Sequence, residues 1–506
     1  MLHRLLPAAL LLALPARADI TLPKLFANNM VLQQKTSVAL WGGAEPGERV
    51  TVTAGWAKQP VQTTADAQGH WLVRLPTAKA GGPYTLTFQG KNRLTVQNVL
   101  LGEVWLCGGQ SNMVFPISRR PGSSSYSGVV NEAAVKPRAH YPQIRMFTVT
   151  TQTAAEPQRD VPGGSWAVCS PETVGEFSAV AYFFAQEIYE RTHVPIGLIN
   201  ATWGGTPAEA WMRREVLEAD PELRPLVERY QRGLDTYPQD YAAYQTARQQ
   251  YRAQQAANPQ LRLPAPKEPL GPTSNKAPYR NYNAMIHPLV PYALRGVIWY
   301  QGETNAERGY QYRRLFPALI RSWRQEWGRP ELPFYFVQIA PHRSARPELR
   351  EAQLLTMQTV PRTGMAVITD AGDSLDIHPR NKQVVGHRLA QWALAREYGE
   401  TQRPYSGPIY ERMQPENGRL RLRFKHADGG LVAQGGPLRE FLVAGPDSVF
   451  HPAQARIEGR ELVVWSPAVQ QPVAVRFAWK PVPFPNLYNA AGLPASPFRT
   501  DQWRRR

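Results

Sequence analysis

A serine hydroxyl attacks an ester only when a neighbouring base takes its proton and a third group holds that base in the right tautomer. Ser111 is the best-placed hydroxyl for such work in this 506-residue chain. The apolar run Val104, Trp105, Leu106 reads as a buried strand that ends at Gly108 and Gly109, with Ser111 two residues further on. Its hydroxyl would stand at the carboxyl edge of a sheet, where open α/β folds keep their sites. Asn112 and Met113 follow it in place of the second half of a Gly-x-Ser-x-Gly elbow, which argues against a lipase-type hydrolase. The bland alternative is a turn serine or helix cap.

The base and its partner must come from elsewhere in the chain. Asp373, Asp376 and His378 follow the apolar run 365–369 and precede a helical pattern, again at a strand's carboxyl end. Of the other histidines, His3 lies in the amino-terminal segment, and His70, His140, His193, His426 and His451 fall in turns or outside the sheet-end loops. His287, His342 and His387 read as structural. Acyl transfer also needs donors aimed at the developing oxyanion. The Gly205 N–H, after the strand near Ile196, and the Gln301 side-chain amide, after the strand near Val297, are the candidates. A plain tight turn at Gly204 and Gly205 is the alternative.

Positioning these groups requires alternating strands and helices. Runs at 101–107, 194–200, 294–300, 334–339 and 365–369 predict strands, and apolar spacings of three and four predict helices over 179–191, 311–325 and 381–397. That alternation implies a parallel sheet covered by helices. Before it, from about 19 to 100, short β-rich runs cut by turns predict a small sandwich-like unit. After 402 short strands return to 506 as a second β-rich unit. Within the central part, 101–401, residues 213–270 are rich in Gln, Ala, Arg and Tyr and close on a Pro-laden stretch, which predicts a helical insertion followed by an extended loop.

Composition narrows the class. Charged residues at 19% beside 43% apolar ones exclude a disordered chain and a multi-span membrane protein, and 47 Pro with 38 Gly exclude an all-helical bundle. The net charge of +18 would attract anions, but no nucleic-acid motif accompanies it, and only Arg504 to Arg506 form a basic run, so no nucleic-acid partner is expected. Arg4, an apolar run from Leu5 to Leu14 and Ala16, Arg17, Ala18 form a signal-peptide pattern over 1–18, too short to span a bilayer. The expected product is exported, to a periplasm or outside the cell, and no integral membrane segment follows. Its two cysteines, Cys107 and Cys169, cannot make a disulfide scaffold, and their pairing stays open, with a buried free Cys107 favoured.

The blocks Gly109 to Met113, Trp203 to Thr206, Trp299 to Asn305, Arg350 to Gln353 and Asp376 to Pro379 with Asn381 and Lys382 together resemble the sialate O-acetylesterases, which are SGNH-type hydrolases. The resemblance runs in family order over 22–499. It implies a three-layer α/β/α hydrolase flanked by β-rich units, removing O-acetyl groups from sugars with no metal and no cofactor. It further implies Ser111 as nucleophile, His378 as base, and Ser111 N–H, Gly205 N–H and the Gln301 side chain as the oxyanion hole. The wider SGNH pattern places the acid three residues before the histidine, where Leu375 stands; Asp376 lies two before, as in the related esterases. His378 is then oriented by Asp376, by Asp373 or by a backbone carbonyl. For the substrate, Arg350 is a candidate for the carboxylate of a sialic acid, and Trp203, Trp211, Trp299 and Tyr300 for stacking on a sugar face. Acetylated xylan or another plant polysaccharide is the rival substrate, and a non-catalytic carbohydrate-binding protein the rival of another class. The oligomeric state is not expressed in these features.

Overall fold

One long strand organises the molecule. In the computed structural model, which describes residues 19–120, 122 and 126–503, β1 (Arg93–Gly109) runs for 17 residues. Its first half pairs antiparallel with Gly81–Gln89 and, at residues 100–102, parallel with Val31–Gln33. Its second half pairs parallel with two strands of the central sheet. The change at residue 100/101 expected from composition therefore falls inside a continuous strand, and the amino-terminal β-rich part is hydrogen-bonded directly into the central sheet.

That sheet contains β2 (Tyr141–Thr148), β3 (Trp166–Cys169), β4 (Ile196–Thr202), β5 (Gly296–Tyr300), β6 (Phe334–Val337) and β7 (Thr363–Ala366). Across the sheet the order is β7, β6, β5, β1, β4, β2, β3, with only the β3 edge antiparallel. The strands β2 and β3 have no counterpart in the sequence expectations, because the first half of β2 is largely exposed and β3 is a short edge strand with only its end residues buried. Chain order reverses on either side of β1, which opens a crevice at its carboxyl end between β4 and β5.

Alternation along β1 fixes the layers. Trp105 and Cys107 face a core shared with α2 (Ala179–Thr192) and α6 (Lys382–Glu397), where the Trp105 ring meets Phe184 edge-on at 4.9 Å. Val104 and Leu106 face the opposite core, with Leu315, Phe316 and Leu319 of α4 (Gly309–Glu326) and Leu349 of α5 (Pro347–Thr359). The result is the three-layer α/β/α arrangement with additional β-rich regions. Among the described residues Cys107 and Cys169 are both free and buried.

The insertion is a 34-residue helix, α3 (Arg224–Ala257), buried only at Leu226, Val227 and Tyr230. The chain then runs without regular structure until the Asn275 side chain donates to the Gly204 carbonyl at 3.1 Å, bracing the turn after β4. After Ser406 short antiparallel strands return, led by Ile409–Glu416 and Arg419–Lys425. No described helix is long and apolar enough to cross a membrane. The signal-peptide pattern over 1–18 and the basic run Arg504 to Arg506 lie outside the described residues.

At the end of β1 the backbone itself imposes glycine. Gly109 has φ +137°, and a Cβ there would lie 2.2 Å from the Tyr300 carbonyl oxygen, where the Gln110 N–H donates at 3.0 Å. Gly109→Ala is therefore expected to lower the thermal unfolding midpoint by several degrees, read by scanning calorimetry; an unchanged midpoint would contradict the close approach.

Candidate active site

Ser111 opens α1 (Ser111–Val114), a single turn that begins as β1 ends. As the first residue of a helix it has no intrahelical acceptor for its N–H. Its Oγ lies 2.9 Å from Nε2 of His378, which sits in the loop between β7 and α6. The two residues are 267 positions apart in the chain and meet because both occupy the carboxyl edge of one sheet.

The three possible partners of the imidazole resolve as follows. Asp376 Oδ1 accepts the His378 backbone N–H at 2.9 Å and lies 3.4 Å from ring Nδ1, where it would pair with the ring once protonated; Nδ1 has no formed hydrogen bond. Asp373 instead accepts the N–H groups of Leu375 and Asp376 and shapes the loop. Among the described residues no carbonyl is bonded to Nδ1. Burial, reinforced by the positive charge of Lys382, holds the imidazole pKa well below its ordinary value, so the ring is neutral at neutral pH and free to accept a proton.

Gly204 packs beside Ser111, and Gly205 follows it in the turn. A Cβ on Gly204 would lie 3.6 Å from that of Ser111, and Gly205 has φ +71°, the left-handed region that favours glycine. The preceding Trp203, half-buried, donates its N–H to the Gly109 carbonyl at 3.2 Å. Tyr126 lies across the base, its ring centre 5.1 Å from the imidazole centre.

Two expected roles need correction. Gln301 is 0% exposed, and its amide is spent internally: Nε2 donates to Asn305 Oδ1 at 2.7 Å and to the Thr206 carbonyl at 3.3 Å, while Oε1 accepts from Tyr312. It braces the turn after β4 and is not a free oxyanion donor. Arg350 is also 0% exposed, and its guanidinium donates to the carbonyls of Ile339, Ala340, Lys480 and Pro481. It ties the loop after β6 to the carboxyl-terminal part and reaches no substrate. Likewise Trp211, Trp299 and Tyr300 are fully buried core residues, closed to a sugar.

Beneath the hydroxyl lies a cluster with no role assigned from sequence. The fully buried Asn112 donates through Nδ2 to Glu303 Oε1 at 2.6 Å and to the Ile377 carbonyl at 3.0 Å, and its Oδ1 accepts from Lys382 Nζ. All three belong to blocks that carry the family resemblance, so their positions were visible while their contacts were not. Tyr126 gave no signal, standing in a Ser- and Gly-rich stretch. Among the described residues no group of three or more His, Cys, Asp or Glu side chains is placed to hold a metal ion.

A largely parallel sheet covered by helices, with a serine–histidine contact at its carboxyl crevice, is the arrangement of an α/β hydrolase. The model of a carbohydrate esterase family, the sialic acid-specific acetylesterases, matches residues 273–395. The sialate O-acetylesterase of Rattus norvegicus is 32% identical over 440 residues, covering 76% of this chain and 75% of that protein. The Homo sapiens protein of the same name is 30% identical over 427 residues, covering 76% and 73%. A carbohydrate acetylesterase from Xanthomonas citri, known by crystal structure, is 38% identical with a TM-score of 0.80, covering 96% of this chain and 100% of that one. This chain belongs to the sialate O-acetylesterase family.

The carbonyl clamp on Arg350 makes its own prediction. Arg350→Met should lower the unfolding midpoint, and it should leave unchanged the ratio of KM values for a carboxylate-bearing and a neutral acetylated sugar. A selective rise in KM for the acidic substrate would restore Arg350 to the binding site.

Proposed function

We propose that the protein is a serine esterase that hydrolyses O-acetyl esters on sugars, with O-acetylated sialic acids as its substrates, and that the segment 1–18 directs its export. The observation that carries the reading is the 2.9 Å contact between Ser111 Oγ and His378 Nε2. Family membership supplies the acetyl ester and the sugar. The net charge of +18 favours an anionic one, which is what a sialic acid is.

The chemistry proceeds in two halves. His378 Nε2 takes the Ser111 proton as Oγ attacks the acetyl carbonyl, and the tetrahedral oxyanion is held by the backbone N–H groups of Ser111 and Gly205. Collapse breaks the bond to the sugar oxygen, which leaves with the proton from His378 as a free hydroxyl. Water then gives a proton to Nε2 and attacks the acetyl-serine; acetate departs and Oγ recovers its proton. Asp376, beside Nδ1, stabilises the imidazolium formed in each half. Tyr126, whose ring centre lies 5.1 Å from that of the imidazole, and Trp203 are the aromatic residues we assign to the sugar.

The test is acetate release from O-acetylated sialic acid and from acetylated xylan, run side by side. Wild type should act on the sialic acid, and Ser111→Ala should lose at least ~10³-fold in kcat/KM with its fold intact. Release from xylan alone would replace the substrate, and release undiminished in Ser111→Ala would overturn the chemistry.

The depressed imidazole pKa sets the pH dependence. His378 must be neutral to accept the serine proton, and its protonated form is disfavoured by burial and by Lys382. The acid limb of kcat/KM should therefore fall below the ordinary imidazole midpoint of about 6.5. A limb at or above that value would contradict the electrostatics.

A further inference from the structure

Lys382 is placed where a cation is disfavoured twice. It is fully buried, and it is the first residue of α6, where the positive end of the helix dipole faces it. Burial drives its pKa down to about 7 and pushes that of Glu303 up. Only part of this cost is offset locally: Nζ lies 4.6 Å from the Phe115 ring centre and 5.3 Å from that of Tyr300, and one Glu303 oxygen, Oε2, is buried with no hydrogen-bond partner. A cluster serving stability alone would do better as apolar side chains of similar size.

What the cluster does hold is the orientation of one amide. Asn112 has its oxygen against the Lys382 ammonium and its NH2 against the Glu303 carboxylate and the Ile377 carbonyl. Flipping the amide would set NH2 against ammonium and oxygen against two acceptors, so Lys382 and Glu303 together fix it. Asn112 adjoins Ser111 and Ile377 adjoins His378. Two adjacent rungs therefore join the same two segments: Ser111 to His378 at 2.9 Å and Asn112 to Ile377 at 3.0 Å.

Resting on the serine-esterase reading, we infer that Lys382 and Glu303 are positioning residues, which lock the Asn112 amide so that it holds the His378 loop in register with the Ser111 hydroxyl. Lys382 also acts through space, because its positive charge disfavours protonation of the nearby imidazole. Neither residue touches substrate.

The test is the double variant Glu303→Gln with Lys382→Met, which removes both charges and takes from the Asn112 oxygen its donor, assayed with wild type for acetate release, thermal midpoint and pH profile. The expected result is a kcat lowered by about 10²-fold with KM within about twofold, since small displacements of a base are that costly. The acid limb should move upward as the cation is lost. Retained kcat, or a loss of kcat that tracks a fallen midpoint with the limb unmoved, would overturn the inference. If the double variant does not fold, Glu303→Gln alone decides: a kcat lowered at constant KM supports the lock, and an unchanged kcat overturns it. Wild type releasing no acetate would instead sink the esterase reading itself, which keeps the two failures apart.

Discussion

The contact between Ser111 and His378 is the constraint on which the rest of the molecule depends. A hydroxyl and an imidazole from distant parts of the chain must stay within hydrogen-bond reach, and neither sits on a long rigid element of its own. The sheet solves the first half of that problem. β1 and β7 end on the same edge, and the parallel pairing through β5 and β6 fixes how far apart those ends lie. Loop structure solves the second half: Asp373 closes the turn before the histidine, Asp376 caps its backbone, and Asn112 holds the preceding carbonyl.

Polar side chains carry an unusual share of this positioning. Gln301 and Asn305 brace the turn containing Gly204 and Gly205, and Glu209 anchors Asn305 in its turn at 2.9 Å. Arg350 fastens the carboxyl-terminal part to the loop after β6, and Gln338 does the same through Ser496 at 3.0 Å. Each is buried, so each is useful only while fully paired, and losing one partner would strand the other in a low-dielectric interior. The crevice at the end of β1 thus rests on buried polar networks whose members depend on one another.

Much of the scaffold was legible in the sequence because its signals are local. The apolar runs predicted the second half of β1, and β4, β5, β6 and β7 within a few residues, and three- and four-residue spacings predicted α2, α4 and α6, since buried strands and packed helices write their periods directly. β2 and β3 were not legible: the one is polar and exposed where it starts, and the other is a short edge strand with only its two end residues buried. At the site, the placement of Ser111 and His378 at strand ends could be read, because topology puts chemistry there. The errors at Gln301 and Arg350 share one cause. A polar side chain in a motif looks the same in sequence whether it faces the substrate or the protein's own carbonyls, and only burial and partners separate the two. The cluster of Asn112, Glu303 and Lys382 escaped for the same reason, since its meaning lies in contacts between three segments far apart in the chain.

The central claim is that Ser111 becomes acetylated during turnover because His378 takes its proton. It is tested most directly by acid-quenching the enzyme in steady state on an O-acetylated sugar and mapping acetyl groups by peptide mass spectrometry. The account predicts an acetyl group on the peptide carrying Ser111 in wild type and none in His378→Ala. Acetylation at another residue, or an undiminished acetyl-Ser111 in His378→Ala, would contradict it.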